Sequence, residues 1–277
     1  MAEKGEFQKF YFRVEWFLKR AQYSRLKKLP KIRPIKRLNI FSYYQIVAEE
    51  NIVGKPCYNL KMEKTQTILK KYPELRPLAK LTTSKKIQDF LNALPLNTGR
   101  DWNTCRSAVK TLQAKKAHCL EGAFVGAAAL YFQGHKPLLL DLKTSAPDYD
   151  HVVVLFKKYG HWGALSKTGH AVLRYREPIY QTIRELALSY FHEYFLDSGK
   201  KTLRAYSQPF NLLHFETDWL WADYDLWQIA EDLDDSPHFK ILTSKMIANL
   251  RPADPLEIAA GKLVEKNHTQ GKTIKTK

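Results

Sequence analysis

A cysteine set ahead of a run of small residues, and a histidine some thirty positions later, are where this chain could do chemistry. Cys119 stands between His118 and Leu120-Glu121-Gly122-Ala123, and Phe124-Val125-Gly126-Ala127-Ala128-Ala129-Leu130 follows. His151 opens the apolar segment Val152-Val153-Val154-Leu155-Phe156. A thiol becomes a useful nucleophile as its thiolate, which the positive end of a helix favours for a cysteine in the first turn. A strand-borne imidazole could pair with it and later protonate a leaving group, while the backbone N–H of Cys119 would help hold an oxyanion. That is acyl-transfer chemistry on an amide, ester or thioester. The same residues also fit a small apolar core cysteine and a surface histidine.

The elements that must position this pair are legible from periodicity. From Cys119, the residues Ala123, Ala127, Leu130 and Tyr131 recur at helical spacing, and the glycine and alanines would let that helix approach a sheet closely. Pro137 to Lys143, the His151 segment, Gly160 to Ser166 and Ala171 to Tyr175 read as strands of an antiparallel meander separated by turns. An amphipathic helix is expected from Ile179, after Pro178, through Ile183, Leu186, Ala187, Tyr190, Phe191 and Tyr194. Upstream, a short helix should run from Ser107 to Lys116. Thr65 to Leu94 reads as two helices broken at Pro73 and Pro77, with Thr83 or Ser84 capping the second.

The expected organisation is a basic, mainly helical accessory region over 1–100, a core over 101–200, a helical C-terminal extension over 201–260 and a flexible basic tail over 261–277. The join falls at Pro95 to Asp101. The fold class is α+β: a helix carrying Cys119 packed on an antiparallel sheet carrying His151, with helical additions on both sides.

At 277 residues with 44% hydrophobic content, the chain can bury a substantial core. Forty-five Lys and Arg against 28 Asp and Glu give +17, which favours anionic partners. Basic and aromatic residues interleave from Phe7 to Val47, so Lys19 to Arg37 and the tail are candidate polyanion contacts; an amphipathic helix with its aromatics in the core fits the same pattern. Cys57, Cys105 and Cys119 form no CxxC pair, which argues against a disulfide framework and for a reducing, cytoplasmic setting. No signal peptide and no membrane span are expected.

Cysteine at a helix start, then a strand, then a strand opening with histidine, then Gly-x-Trp in the next strand, resembles the layout of the transglutaminase-like superfamily of papain-type thiol proteins. The matching residues are Cys119, the His151 strand and Gly160-His161-Trp162. The runs Trp162-Gly163-Ala164-Leu165-Ser166-Lys167 and Leu173 to Tyr180 are similar to the uncharacterised bacterial branch of that superfamily. The resemblance spans roughly Asn103 to Leu196. It implies a Cys119–His151 pair acting on a protein or peptide amide, with no metal or organic cofactor. Four residues after the tryptophan the family usually has an Asp or Asn that orients the histidine; this chain has Ser166, which carries no charge. Asp141 is the alternative third member, with Asp150 a further candidate.

His118 and Trp162 are cleft or oxyanion candidates. Glu121 reads as a polar helix-start residue favoured by the dipole, or as a contact for a substrate amine. His118, Cys119, His151 and His161 could in principle ligate zinc but lack a short ligand pair. Asp232, Asp234 and Asp235 lack the glycine turn and distal glutamate of a calcium loop. The rival to an enzyme is a catalytically silent member that binds a partner through the old cleft, or a polyanion through its basic segments.

Overall fold

The computed structural model describes residues 65–98 and 103–264. The chain divides into two units, Met1–Pro73 and Glu74–Lys277. In the first, residues 65–71 are helical. The aromatic and basic stretch from Phe7 to Val47, with its Lys19–Arg37 polyanion contact, lies outside the described residues, as does the tail beyond Val264. Every element below belongs to the second unit.

Short polar side chains start several of the helices. Pro77 sits in the first turn of α1 (Arg76–Ala79), where its missing N–H has no helical partner to lose, so the expected break at Pro77 is a helix start. Thr83 accepts the backbone N–H of Lys86 and caps α2 (Ser84–Ala93). Ser107 caps α3 (Ala108–Ala114), which Lys115 ends in the left-handed region with φ 52°. His118 is the N-cap of α4 (Cys119–Phe132), so Cys119 is the first helical residue, as its spacing predicts.

The strands are β1 (Leu138–Thr144), β2 (His151–Lys158), β3 (His161–Leu165), β4 (Arg176–Tyr180), β5 (Leu203–Ser207), β6 (Phe210–Asn211) and β7 (His238–Lys240). They form one antiparallel sheet in the order β4-β3-β2-β1-β5-β7, with β6 paired to the start of β1. The remaining helices are α5 (Ile183–Leu188), α6 (Asp218–Trp221), α7 (Trp227–Asp234), α8 (Ser244–Ala248) and α9 (Pro255–Gly261).

Helices cover both faces of the sheet. Gly126 of α4 approaches Val154 and Leu165 of the sheet and Leu91 of α2, and residues Leu120 to Leu130 are all buried. A helix apolar on every side can only be stable when surrounded in this way. Leu140, Leu142, Val153, Leu155 and Ala164 pack instead with Leu186, Ala187, Tyr190 and Tyr194. Each such aliphatic side chain contributes about 1.5–3 kcal/mol on full burial.

Two segments differ from the expectation. Ala171–Leu173 is a 3-10 turn, and the last strand of the meander, β4, runs through Pro178. Proline is tolerated there because β4 lies at the sheet edge. The following helix therefore begins only at Ile183, with Thr182 accepting the N–H of Glu185 as its cap. Within 201–260, α6 to α9 are present, but Leu203 to Ser207 alternates buried and half-buried residues and adds β5 to the sheet, with β6 and β7 beside it. That region is thus part of the sheet rather than a helical extension alone. Among the described residues, no helix is long and apolar enough to cross a membrane.

Candidate active site

Cys119 is held at the first turn of α4 by backbone pairing just upstream. Asn97 N–H donates to Ala117 O and Ala117 N–H to Pro95 O, both at 3.0 Å, which fixes the chain entering His118. The N–H of Cys119 is among the four that a helix start leaves without an intrahelical acceptor. The cysteine is half-buried. Burial opposes its ionisation, but hydrogen bonding with His118 and His151, and then their charges, holds it well below the ordinary thiol range.

His118 is fixed from behind by a buried polar network. Its Nε2–H donates to the Thr104 carbonyl oxygen at 2.6 Å, and the same nitrogen lies 3.7 Å from Glu121 Oε2. Glu121, fully buried, accepts from Thr104 Oγ1 at 2.6 Å, from Asn97 Nδ2 at 3.3 Å and from the His118 N–H at 3.2 Å, with Arg106 Nη1 3.4 Å away. Burial works against a charged His118. Its bond to Cys119 and the charge of Glu121 more than offset that and push its pKa up to about 9. Glu121 therefore serves the helix start and His118 rather than facing a substrate.

His151, the first residue of β2, reaches the thiol from the sheet. It stands opposite Leu142 in the β1–β2 ladder, and its Nε2 lies 2.7 Å from Ser166 Oγ. That contact occupies Nε2, while the His151 side chain also acts on the Cys119 thiol. Ser166 follows β3 directly and is buried. Gln88 of α2 clamps its backbone from both sides: Ser166 N–H donates to Gln88 Oε1 at 3.0 Å, and Gln88 Nε2 donates to Ser166 O at 2.8 Å. Close approach of α4 completes the site. A Cβ on Gly122 would stand 2.2 Å from Lys167 Cβ, so only glycine lets the end of β3 lie against the first turn of α4.

Cys119, His118, His151 and Ser166 are thus brought together, and the other expected residues are not. Asp141 faces His238, whose Nε2 is 3.2 Å from its Oδ2; burial, the largest influence, raises the Asp141 carboxyl to about 6. Trp162 is at the far end of β3 from Ser166, about 13 Å along the strand, with Lys157 Nζ 5.2 Å from its ring centroid. His161 is held elsewhere: its Nδ1–H donates to Tyr159 O at 2.8 Å, and it pairs with Lys158 at the opposite end of β2 from His151. The zinc set of His118, Cys119, His151 and His161 therefore does not assemble.

Among the described residues, Asp141, Asp150 and Asp234 have donor atoms within 4.8 Å of one another. Lys143 already bonds Asp150 at 3.0 Å and also bonds Asp234, so an ammonium supplies the compensating charge. Sequence reasoning missed Gln88, Thr104 and Asn97. For Gln88 a signal existed, because it stands beside Ile87 and one turn before Leu91 on the buried side of α2, and a polar residue in a core stripe needs a partner. Thr104 and Asn97 carry no such mark. No protein-family model matches the chain, and no curated protein matches it.

Proposed function

We propose that the chain is a thiol-dependent amide hydrolase or acyltransferase of papain-like, transglutaminase-like type, acting on an amide in a protein or peptide. The observation that carries this reading is the placement of Cys119 as the first residue of α4 beside His118 and His151, whose bonding and charge lower the thiol well below its ordinary range, with His151 bonded through Nε2 to Ser166. The Cys119 sulfur attacks the carbonyl carbon and forms a C–S bond. Negative charge on the oxygen is met by the N–H at the helix start. His151 protonates the departing nitrogen as the C–N bond breaks, and then takes a proton from water or an amine that displaces the thioester. Ser166 orients the ring in the place where the family resemblance implies Asp or Asn.

Water as acceptor makes the enzyme a peptidase or deamidase, and an amine acceptor makes it a crosslinking enzyme. The test is incubation with an unfolded protein substrate and a labelled primary amine. Peptide cleavage, ammonia release or amine incorporation should appear with the native chain and vanish in both Cys119→Ala and His151→Ala. Product that survives Cys119→Ala removes the proposal.

The uncharged Ser166 and the net charge of +17 favour a second reading, in which the cleft is silent and the basic segments bind a polyanion. Absence of acyl capture at Cys119, together with salt-sensitive binding to nucleic acid, would favour it.

A further inference from the structure

The two imidazoles beside Cys119 are anchored by chemically different partners. His118 Nε2 meets a carbonyl oxygen, Thr104 O at 2.6 Å, which can only accept, so that nitrogen keeps its proton in every state. The same nitrogen faces the buried Glu121 carboxylate at 3.7 Å. A proton on the remaining ring nitrogen makes a cation between a carboxylate and a thiolate. His151 Nε2 instead meets a serine hydroxyl at 2.7 Å, which both donates and accepts and carries no charge. His151 can therefore gain and lose a proton without stranding a buried partner.

We propose that His118 is a resident counter-ion, which keeps its proton through the whole reaction and holds the Cys119 thiolate, while His151 alone carries protons to and from the reacting groups. This rests on the acyl-transfer reading above. In the first half, the C–S bond forms, the C–N bond breaks and the amine leaves with the His151 proton. In the second, water or an amine returns a proton to His151 as the C–S bond breaks and the thiolate re-forms. His118 ends each half as it began.

The surroundings agree with a fixed charge. Giving up the proton would leave Glu121 facing a neutral ring, with Arg106 as its other cationic neighbour. The Cys105 thiol nearby is raised by burial and by the charges of Glu121, Asp225 and Cys119, so it stays neutral. Tyr194 is likewise raised, first by burial. Among the described residues, the cationic or protonatable groups where the elements meet at the site are His118, His151, Arg106, which faces Glu121, and the buried Lys167, whose stem lies against Gly122 in the first turn of α4. The upward shift of His118 to about 9 is consistent with the geometry.

The test is the pH dependence of Cys119 ionisation, read from thiolate ultraviolet absorbance and from iodoacetamide alkylation, in the native chain, His118→Gln and His151→Ala. His118→Gln should move the thiol midpoint up by about one pH unit or more, a tenfold loss of thiolate on the acid side. His151→Ala should move it less, yet abolish turnover. A His118→Gln chain that does not fold is bypassed by titrating the native protein with 15N-labelled histidine, where His118 should stay protonated on both nitrogens up to about 9. An unmoved midpoint in folded His118→Gln, or a neutral His118 ring at neutral pH, overturns the proposal. A native thiol that ionises in the ordinary range would instead overturn the acyl-transfer reading itself.

Discussion

At the scale of residues, the site turns on which group holds each imidazole. Ser166 offers one neutral hydrogen bond to His151, worth about 1 kcal/mol. Ser166→Ala should therefore lower turnover roughly fivefold, while leaving the alkylation rate of Cys119 close to native, because the hydroxyl orients the base and does not touch the sulfur. Equal losses in both measurements would show that Ser166 acts only by holding the site together. The pH dependence follows from the shifts. With the thiol well below its usual range and His118 raised to about 9, thiolate is already present at neutral pH and its cation persists. Alkylation of Cys119 should stay level from neutral pH to about 9, whereas an ordinary thiol climbs nearly tenfold per pH unit below its pKa; such a climb would contradict the pairing. Cys119 and His151 were legible because helical and strand periods place them at element starts. The role of His118 was not, since adjacency of an N-cap and a first helical residue says nothing about which way the ring turns.

At the scale of elements, α2 and α4 close on the end of β3. Gln88 satisfies both backbone groups of the buried Ser166, so Gln88→Leu strands a donor and an acceptor and should cost about 1–3 kcal/mol in chemical unfolding. Turnover should fall further than that loss of folded fraction explains, because Ser166 would no longer be aimed at His151. Unchanged stability would refute the clamp. The α4–sheet pairing was legible in the small residues from Gly122 to Ala129. Two elements escaped. Pro178 looked like a helix start because proline favours a first turn, yet it also fits a sheet edge, and only the partner strand decides between them. Asp141, a buried polar residue inside an apolar strand, invited a role beside His151. Its actual partner, His238, arrives from a strand 97 positions away that local pattern does not reveal.

At the scale of the whole molecule, the sheet is completed by β5, β6 and β7 from beyond residue 200. Cys105, just ahead of α3, is pinned to the same late region: its N–H donates to Asp225 Oδ1 at 2.9 Å, and its O accepts from Leu226 at 2.7 Å. Strands β6 and β7 were missed because two or three residues give period-2 alternation too little length to register. The net charge of +17 makes a separate prediction for the intact chain. Binding to single-stranded nucleic acid should weaken linearly in log affinity against log salt, and removal of residues 7–37 and the tail should flatten that slope; binding indifferent to salt would dismiss the polyanion contact.

The central claim is that Cys119 is a nucleophile made ready by the fold, and the most direct measurement is its second-order rate with iodoacetamide at neutral pH beside that of free cysteine. Free cysteine is only a few per cent thiolate there, so a thiol held as thiolate by His118 and His151 should react about tenfold faster or more. A Cys119 that reacts no faster than free cysteine in the folded chain would contradict the account.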